Sequence, residues 1–170
     1  MNKLKHLAII LDGNRRYAKK KNKQPWKGHE LGFQKLKKLF EWCRAAEIKE
    51  LTIYCFSIEN FNRPPNEFNK LMKIFHKAFS EIESDETIQK ERIKINFIGR
   101  TEMFSPILQK KMHKIEKQTI NNKKYIINFA IGYGGRQEIF DAANEMARAV
   151  FLNKLEINKI TQETFEKYLK

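Results

Sequence analysis

Asp12 stands directly before a Gly-Asn turn and two arginines, Arg15 and Arg16, with Tyr17 behind them. A carboxylate in that setting lies beside the main-chain N–H groups of Gly13 and Asn14 and beside two guanidinium forks. These are the parts of a metal-diphosphate site. Mg²⁺ takes one or two carboxylates and completes its shell with phosphate oxygens and water, while turn amides and arginines hold phosphate through charge-assisted bonds. A solvated Asp-Gly turn uses the same letters, so the local sequence leaves both readings open. Ser57, Glu59, Asn60 and Arg63 form a second polar group as the chain leaves an apolar run. They could orient a substrate beside the first group, or simply cap a turn into the next helix. His29 follows Gly28 where a helix is expected to begin, so an anion there would meet a helix N-terminus and an imidazole together. His6, His76 and His113 read as structural or surface residues. Gly132-Tyr133-Gly134-Gly135-Arg136 is glycine-rich, but it is not G-x-G-x-x-G and no Lys-Ser or Lys-Thr follows, which disfavours a nucleotide P-loop. Arg136 is the anion-binding candidate of that turn.

Each polar segment follows a short β-rich run: residues 7–11 (LAIIL), 51–56 (LTIYCF), 93–98 (IKINFI) and 125–131 (YIINFAI). All four are apolar on both faces or nearly so, the pattern of strands covered on both sides of a parallel sheet. Between them the apolar residues recur at helical spacing. Leu36, Leu39, Phe40 and Cys43 share one face; Phe68, Leu71, Met72, Phe75, Phe79 and Ile82 share another, entered through Pro64 and Pro65 with a cap expected at Asn66. Ser105 and Pro106 open a third helix through Leu108, Met112 and Ile115, and a fourth runs from about Gly135 through Ile139, Ala142, Met146 and Val150. The order βαβαβαβα predicts an α/β fold, an open and mainly parallel sheet with helices on both faces and about four strands. Ligands of such sheets bind beyond the carboxyl ends of the strands, which is where the polar segments fall. A last helical piece at residues 161–169 closes no further strand, so residues 1–170 read as one domain that is incomplete at its C-terminal end.

Composition narrows the classes. The 170 residues carry 34 Lys plus Arg against 20 Asp plus Glu, a net +14. Residues 1–40 hold 12 of the basic residues and only Asp12 and Glu30 in opposition. Nucleic acid, anionic lipid and a diphosphate substrate would all suit that field, although Lys19, Lys20, Lys21 and Lys23 read first as a solvated face. With 41% hydrophobic residues and 13 Phe, the chain has the material for a core. Its apolar runs fall far short of the ~20 residues of a membrane span, and no signal peptide follows Met1, so a cytoplasmic protein is expected. Cys43 and Cys55 lack metal-ligand spacing and read as buried thiols.

Taken in order, HLAIILDGNRRYAKK, GHELGF, LTIYCFSIENFNRP with Glu67 and Leu71-Met72 behind it, INFIG and NFAIGYGGRQEI resemble the cis-prenyltransferase family, the undecaprenyl diphosphate synthases and their dolichol-pathway relatives. Arg15-Arg16-Tyr17 and Gly132 before Tyr133 are similar to the archaeal and eukaryotic branch. The resemblance implies a Mg²⁺-dependent enzyme that adds isopentenyl diphosphate units in cis to an allylic primer, farnesyl or geranylgeranyl diphosphate. The product would be a long-chain polyprenyl diphosphate, the precursor of a glycan lipid carrier. It implies that Asp12 is the catalytic aspartate and holds Mg²⁺, and that Gly13, Asn14, Arg15 and Arg16 bind the primer diphosphate with Tyr17 and His29 beside it. Ser57, Ile58, Glu59, Asn60, Phe61 and Arg63 would shape the reacting centre. Asn60 is the residue to which the proton step would be assigned, though a neutral amide suits positioning better. Phe68, Phe75 and Phe79 are candidates to line a tunnel for the polyprenyl tail, or ordinary core.

The resemblance also implies peripheral contact with the inner membrane face through the lipid product, no nucleic-acid partner, and a homodimer. Much of the dimer interface falls in a segment absent here. So does the family's fifth strand with its donor-site arginines and metal-holding glutamate. Pro25 stands where many members have an arginine, with Lys27 as a substitute charge. A non-catalytic partner subunit, or a fragment that binds allylic diphosphate only, is the alternative.

Overall fold

The computed structural model describes residues 3–169. Four strands, β1 (His6–Ile10), β2 (Glu50–Ser57), β3 (Ile93–Ile98) and β4 (Tyr125–Tyr133), form one sheet in the order β1-β2-β4-β3, with all neighbours parallel. Seven helices accompany them: α1 (Asn14–Lys20), α2 (Pro25–Ala45), α3 (Pro65–Ser84), α4 (Glu86–Lys90), α5 (Pro106–Thr119), α6 (Gly135–Phe151) and α7 (Gln162–Glu166). The open parallel sheet with its helices is the α/β fold expected from the alternation of runs.

The core lies on the sheet face that carries Leu51, Ile53, Ile95, Ile127 and Phe129. Against it pack Leu36 and Cys43 of α2, Leu71, Ala78 and Phe79 of α3, Ile88 of α4, and Leu108, Met112 and Ile115 of α5. The outer edge of β3 is closed by side chains of α5. Thr119 Oγ1 accepts the Ile95 N–H at 3.1 Å and the Glu116 carboxylate accepts the Phe97 N–H at 2.9 Å. Edge amides left bare would template pairing with other chains; α5 removes that exposure.

Four expectations change. The strands are not apolar on both faces: the second face carries a hydrogen-bonded row in which Asn96 donates to Asn128, and Asn128 donates to Glu50 and Thr52. His6 joins through Thr52 at 2.8 Å. Asn66 is no cap, because α3 begins at Pro65 and its N-cap is Pro64; a proline at the first helical position has no N–H to leave unpaired and a φ already set for the helix. The turn after Asp12 is the left-handed residue Gly13 (φ 85°) leading directly into α1. Finally, α2 starts at Pro25, so His29 lies more than one turn inside the helix, away from its N-terminal amides.

Candidate functional site

The carboxyl edge of the sheet gathers the exits of β1 and β2 against α2 and α3. At the exit of β1 the Gly13 N–H donates to Asp12 Oδ1, and Arg16 Nη2 donates to Asp12 Oδ2 at 2.9 Å. The Asp12 side chain is 75% exposed, so the carboxylate faces solvent. Asn14 is seated by the glycines of α2. A Cβ on Gly28 would collide with the Asn14 carbonyl, and one on Gly32 would come within 2.6 Å of Asn14 Oδ1. Gly28 and Gly32, one helical turn apart, thus let α1 lie directly on α2. Their spacing was visible in GHELGF, but nothing local told which chain segment would need the room.

At the exit of β2 the register with β4 slips around Phe56 and Ser57. The bulge drives Phe56 into the core at 1% exposure, ringed by Phe61, Phe75 and Phe104 with centroids 5.0, 5.7 and 5.6 Å away. Ser57 and Asn60 emerge beyond it as a capping box, and Asn60 Oδ1 accepts the Ser57 N–H at 3.2 Å. That bond occupies the amide oxygen and leaves the Asn60 NH₂ as the group free to act, a donor rather than a proton acceptor.

Glu67 joins the two exits. It is 5% exposed, accepts a hydrogen bond from Arg63 Nη1, and lies 3.4 Å from Arg15 Nε and 3.7 Å from His29 Nε2. One carboxylate therefore ties α1, α2 and the start of α3. Arg63 Nη1 also approaches His29 Nε2 at 3.3 Å. Guanidinium can only donate, so Nε2 is the acceptor and the ring is neutral with its proton on Nδ1. Burial, then Arg63, hold the His29 pKa below its ordinary value, Glu67 opposing them and Arg15 adding a smaller depression. The i, i+4 spacing of Arg63 and Glu67 was legible in the sequence; the reach to Arg15 and His29 was not.

Below these groups opens a cavity of about 390 Å³. Its mouth is lined by Asp12, Asn14, His29, Ser57, Asn60 and Arg63, and its interior by apolar residues of α2, α3 and the core face of the sheet. Phe75 and Phe79 face it as expected, whereas Phe68 packs instead on Phe56 and Phe61. Cys55 is also in the wall, where burial pushes its thiol up to about 12; Cys43 is buried and both cysteines are free.

Several candidates lie outside that lining. Arg15, Arg16 and Tyr17 are exposed on α1. Phe61 belongs to the aromatic cluster, with Phe104 at 5.0 Å. Ile58 lines a second, polar cavity of about 440 Å³ beside Gly134. Glu59 is exposed, its carboxylate held below the usual range by its own backbone N–H and the Ser57 hydroxyl. Lys27 pairs with Glu30 at 2.8 Å.

A charged mouth over an apolar cavity lies here at the carboxyl edge of a parallel sheet, the place where open α/β sheets bind ligands. Residues 10–170 match the sequence profile of the undecaprenyl diphosphate synthase family, and the chain belongs to that family. A tritrans,polycis-undecaprenyl-diphosphate synthase (geranylgeranyl-diphosphate specific) of Pyrococcus horikoshii is 42% identical over 97% of this chain and 62% of its own length. The enzyme of that name from Methanocaldococcus jannaschii is 41% identical over 97% of this chain and 59% of its own. An isoprenyl transferase of Thermus thermophilus is 42% identical over 84% of this chain and 54% of its own. The chain therefore spans about 62% of the length of the Pyrococcus relative. Among solved structures, the lavandulyl diphosphate synthase of Lavandula x intermedia in complex with dimethylallyl diphosphate superposes with a TM-score of 0.92 at 31% identity, over 98% of this chain and 71% of that one. Among the described residues no helix is long and apolar enough to cross a membrane.

Proposed function

We propose that this chain carries the allylic-substrate site of a cis-prenyltransferase, which condenses isopentenyl diphosphate in cis onto a primer of the farnesyl or geranylgeranyl diphosphate type. The observation that carries the reading is the continuity of one cavity from Asp12, Asn14 and Arg63 to an apolar interior. A prenyl diphosphate has the same division. Its head would lie on the Gly13–Asn14 turn with Arg15, Arg16 and Arg63 around it, and its tail among Phe33, Leu36, Phe75 and Phe79.

In the condensation the allylic C–O bond breaks and the diphosphate leaves with its electron pair. The isopentenyl double bond attacks the freed carbon through its terminal CH₂, positive charge falls on the methyl-bearing carbon, and a proton is lost from the chain CH₂ beyond it to form the new double bond. The protein's part is to oppose charge as it grows on the leaving oxygen. Arg63 commits the two N–H donors of Nη1 to Glu67 and His29 and keeps the other three for phosphate. Neutral His29 adds no charge of its own, and the Asn60 NH₂ can orient the reacting end. Tyr17 borders the head from α1, while Ile58, Glu59 and Phe61 act by fixing the turn that holds Ser57 and Asn60.

The donor set fits Mg²⁺. Asp12 is an accessible carboxylate, and phosphate oxygens and water would fill coordination positions that it leaves. Held there, the ion would offset the negative charge of the diphosphate. Peripheral contact with a membrane through the lipid product belongs to the same reading.

Titration calorimetry of the chain with geranylgeranyl diphosphate, with and without Mg²⁺, tests it. Binding should require the ion, and Asp12→Asn should weaken the Mg²⁺-supported affinity by about tenfold or more. Equal, Mg²⁺-dependent affinity in the variant would show that Asp12 does not hold the ion.

A further inference from the structure

The cavity has a second end. Besides the groups at the sheet's carboxyl edge, its walls include Lys37, Glu41 and Arg44 of α2 and Glu81 and Asp85 at the close of α3. Lys37, Glu41, Arg44 and Asp85 are exposed, so the apolar interior meets solvent there as well as at the mouth. Both helices run from the mouth toward this end. At a rise of about 1.5 Å per residue, Lys37 lies roughly 12 Å along α2 from His29, and Glu81 roughly 21 Å along α3 from Glu67. The two helices are joined across the opening by one ion pair, Lys37 Nζ to Glu81 Oε2 at 3.1 Å. Lys77 stands behind Glu81 at 4.0 Å, and Arg44 is turned to Glu91 at 3.2 Å.

We propose that the Lys37–Glu81 pair is a length-selecting strap for the substrate tail, staying closed over the far opening beyond a short tail and having to part when a long polyprenyl chain extends through it. The inference rests on the reading of the cavity as a prenyl site and adds the residues that decide which tail lengths it accepts. Two charges on the rim of an apolar cavity resist a hydrocarbon unless they swing outward. Their exposure, 63% for Lys37 and 35% for Glu81, gives them room to do so. A tail too short to reach them leaves the pair intact. A long tail must trade it for solvated, separate charges, so the strap penalises long ligands relative to short ones.

The test compares non-hydrolysable thiolodiphosphates of geranyl, geranylgeranyl and a long cis-polyprenyl chain, the last presented in detergent micelles, each titrated into the same 170-residue protein. The readout is the ratio of long-chain to geranyl affinity, from which the common diphosphate head cancels. Lys37→Glu, which sets two carboxylates face to face, should raise that ratio about two- to fivefold, the range for an ion pair this exposed. The double exchange Lys37→Glu with Glu81→Lys should return it. Raising ionic strength should shift the ratio of the unaltered protein in the same direction as the single exchange, which keeps the test valid if a variant misfolds. A ratio unmoved by both salt and charge reversal overturns the strap. Failure of the unaltered protein to bind any of the three ligands instead overturns the prenyl-site reading beneath it.

Discussion

Replacing Glu67 separates two explanations of the mouth, a general excess of positive charge or a fixed placement of particular groups. Glu67 is 5% exposed and compensates Arg63, whose side chain is itself only 19% exposed. Removing one partner of a buried pair strands the other and costs about 3–5 kcal/mol. The Arg15 arm is 58% exposed and screened by solvent, so it adds no more than about 1 kcal/mol. Glu67→Ala should therefore lose about 3–6 kcal/mol in urea denaturation, a large share of a total near 5–15 kcal/mol. Glu67→Gln keeps shape and one acceptor oxygen and should lose about 1.5–3 kcal/mol, leaving a folded protein in which binding can be measured. Its mouth is one unit more positive. If charge alone held the diphosphate, affinity for geranylgeranyl diphosphate would rise; if Arg15, Arg63 and His29 must be held in register, it falls, by about tenfold for 1.4 kcal/mol of lost alignment. Tighter binding by Glu67→Gln, with a loss in Glu67→Ala below about 1 kcal/mol, would refute the argument.

Gly28→Ala gains about 1 kcal/mol of helix propensity, but the new methyl meets the Asn14 backbone rather than a side chain that could turn aside. Overpacking of about 1–3 kcal/mol should prevail, so the variant should unfold at lower urea and bind diphosphate more weakly, both against the usual trend for glycine in a helix. The depressed His29 pKa makes stability depend on pH. Below the ordinary 6.5 the unfolded chain takes up a proton that the folded ring refuses, so stability is full above 6.5 and declines as pH falls toward the folded pKa. Urea midpoints measured from neutral to mildly acidic pH should show that slope, and His29→Gln should remove this contribution to it.

The strands were legible because each is a run of β-branched and aromatic residues long enough for one crossing of the sheet. Their ends were not. β1 begins at His6 and β4 continues to Tyr133 because the partners across the ladder, Glu50 and Ser57, extend the pairing beyond the apolar letters. The polar row of Asn96, Asn128, Thr52 and His6 was hidden for a related reason. Thr52, Asn96 and Asn128 are scattered polar letters within apolar runs and His6 precedes one; they become a row only when parallel strands align. Helix α1 went unseen because seven residues with only Ala18 buried offer no apolar period to read.

The candidate site divides in the same way. Asp12, Asn14, Ser57, Asn60 and Arg63 were readable because strand ends place their followers on one edge of a parallel sheet. Glu67, Gly28 and Gly32 act across elements, and their roles appear only when α1, α2 and α3 are brought together. The cavity is the clearest case. Phe68, Phe75 and Phe79 recur on a single helix at core spacing, yet Phe68 fills space against Phe56 while Phe75 and Phe79 border a void. Periodicity reports which face of a helix is apolar and is silent on whether the facing helix reaches it. Here α2 is drawn toward α1 by two glycines and held to α3 by charges near the ends of their shared gap, Glu67 at one end and Lys37–Glu81 toward the other. Polar ties at the ends and large rings along the length keep two helices apart over an apolar floor. That arrangement leaves an apolar space between them, and no single stretch of the sequence contains it.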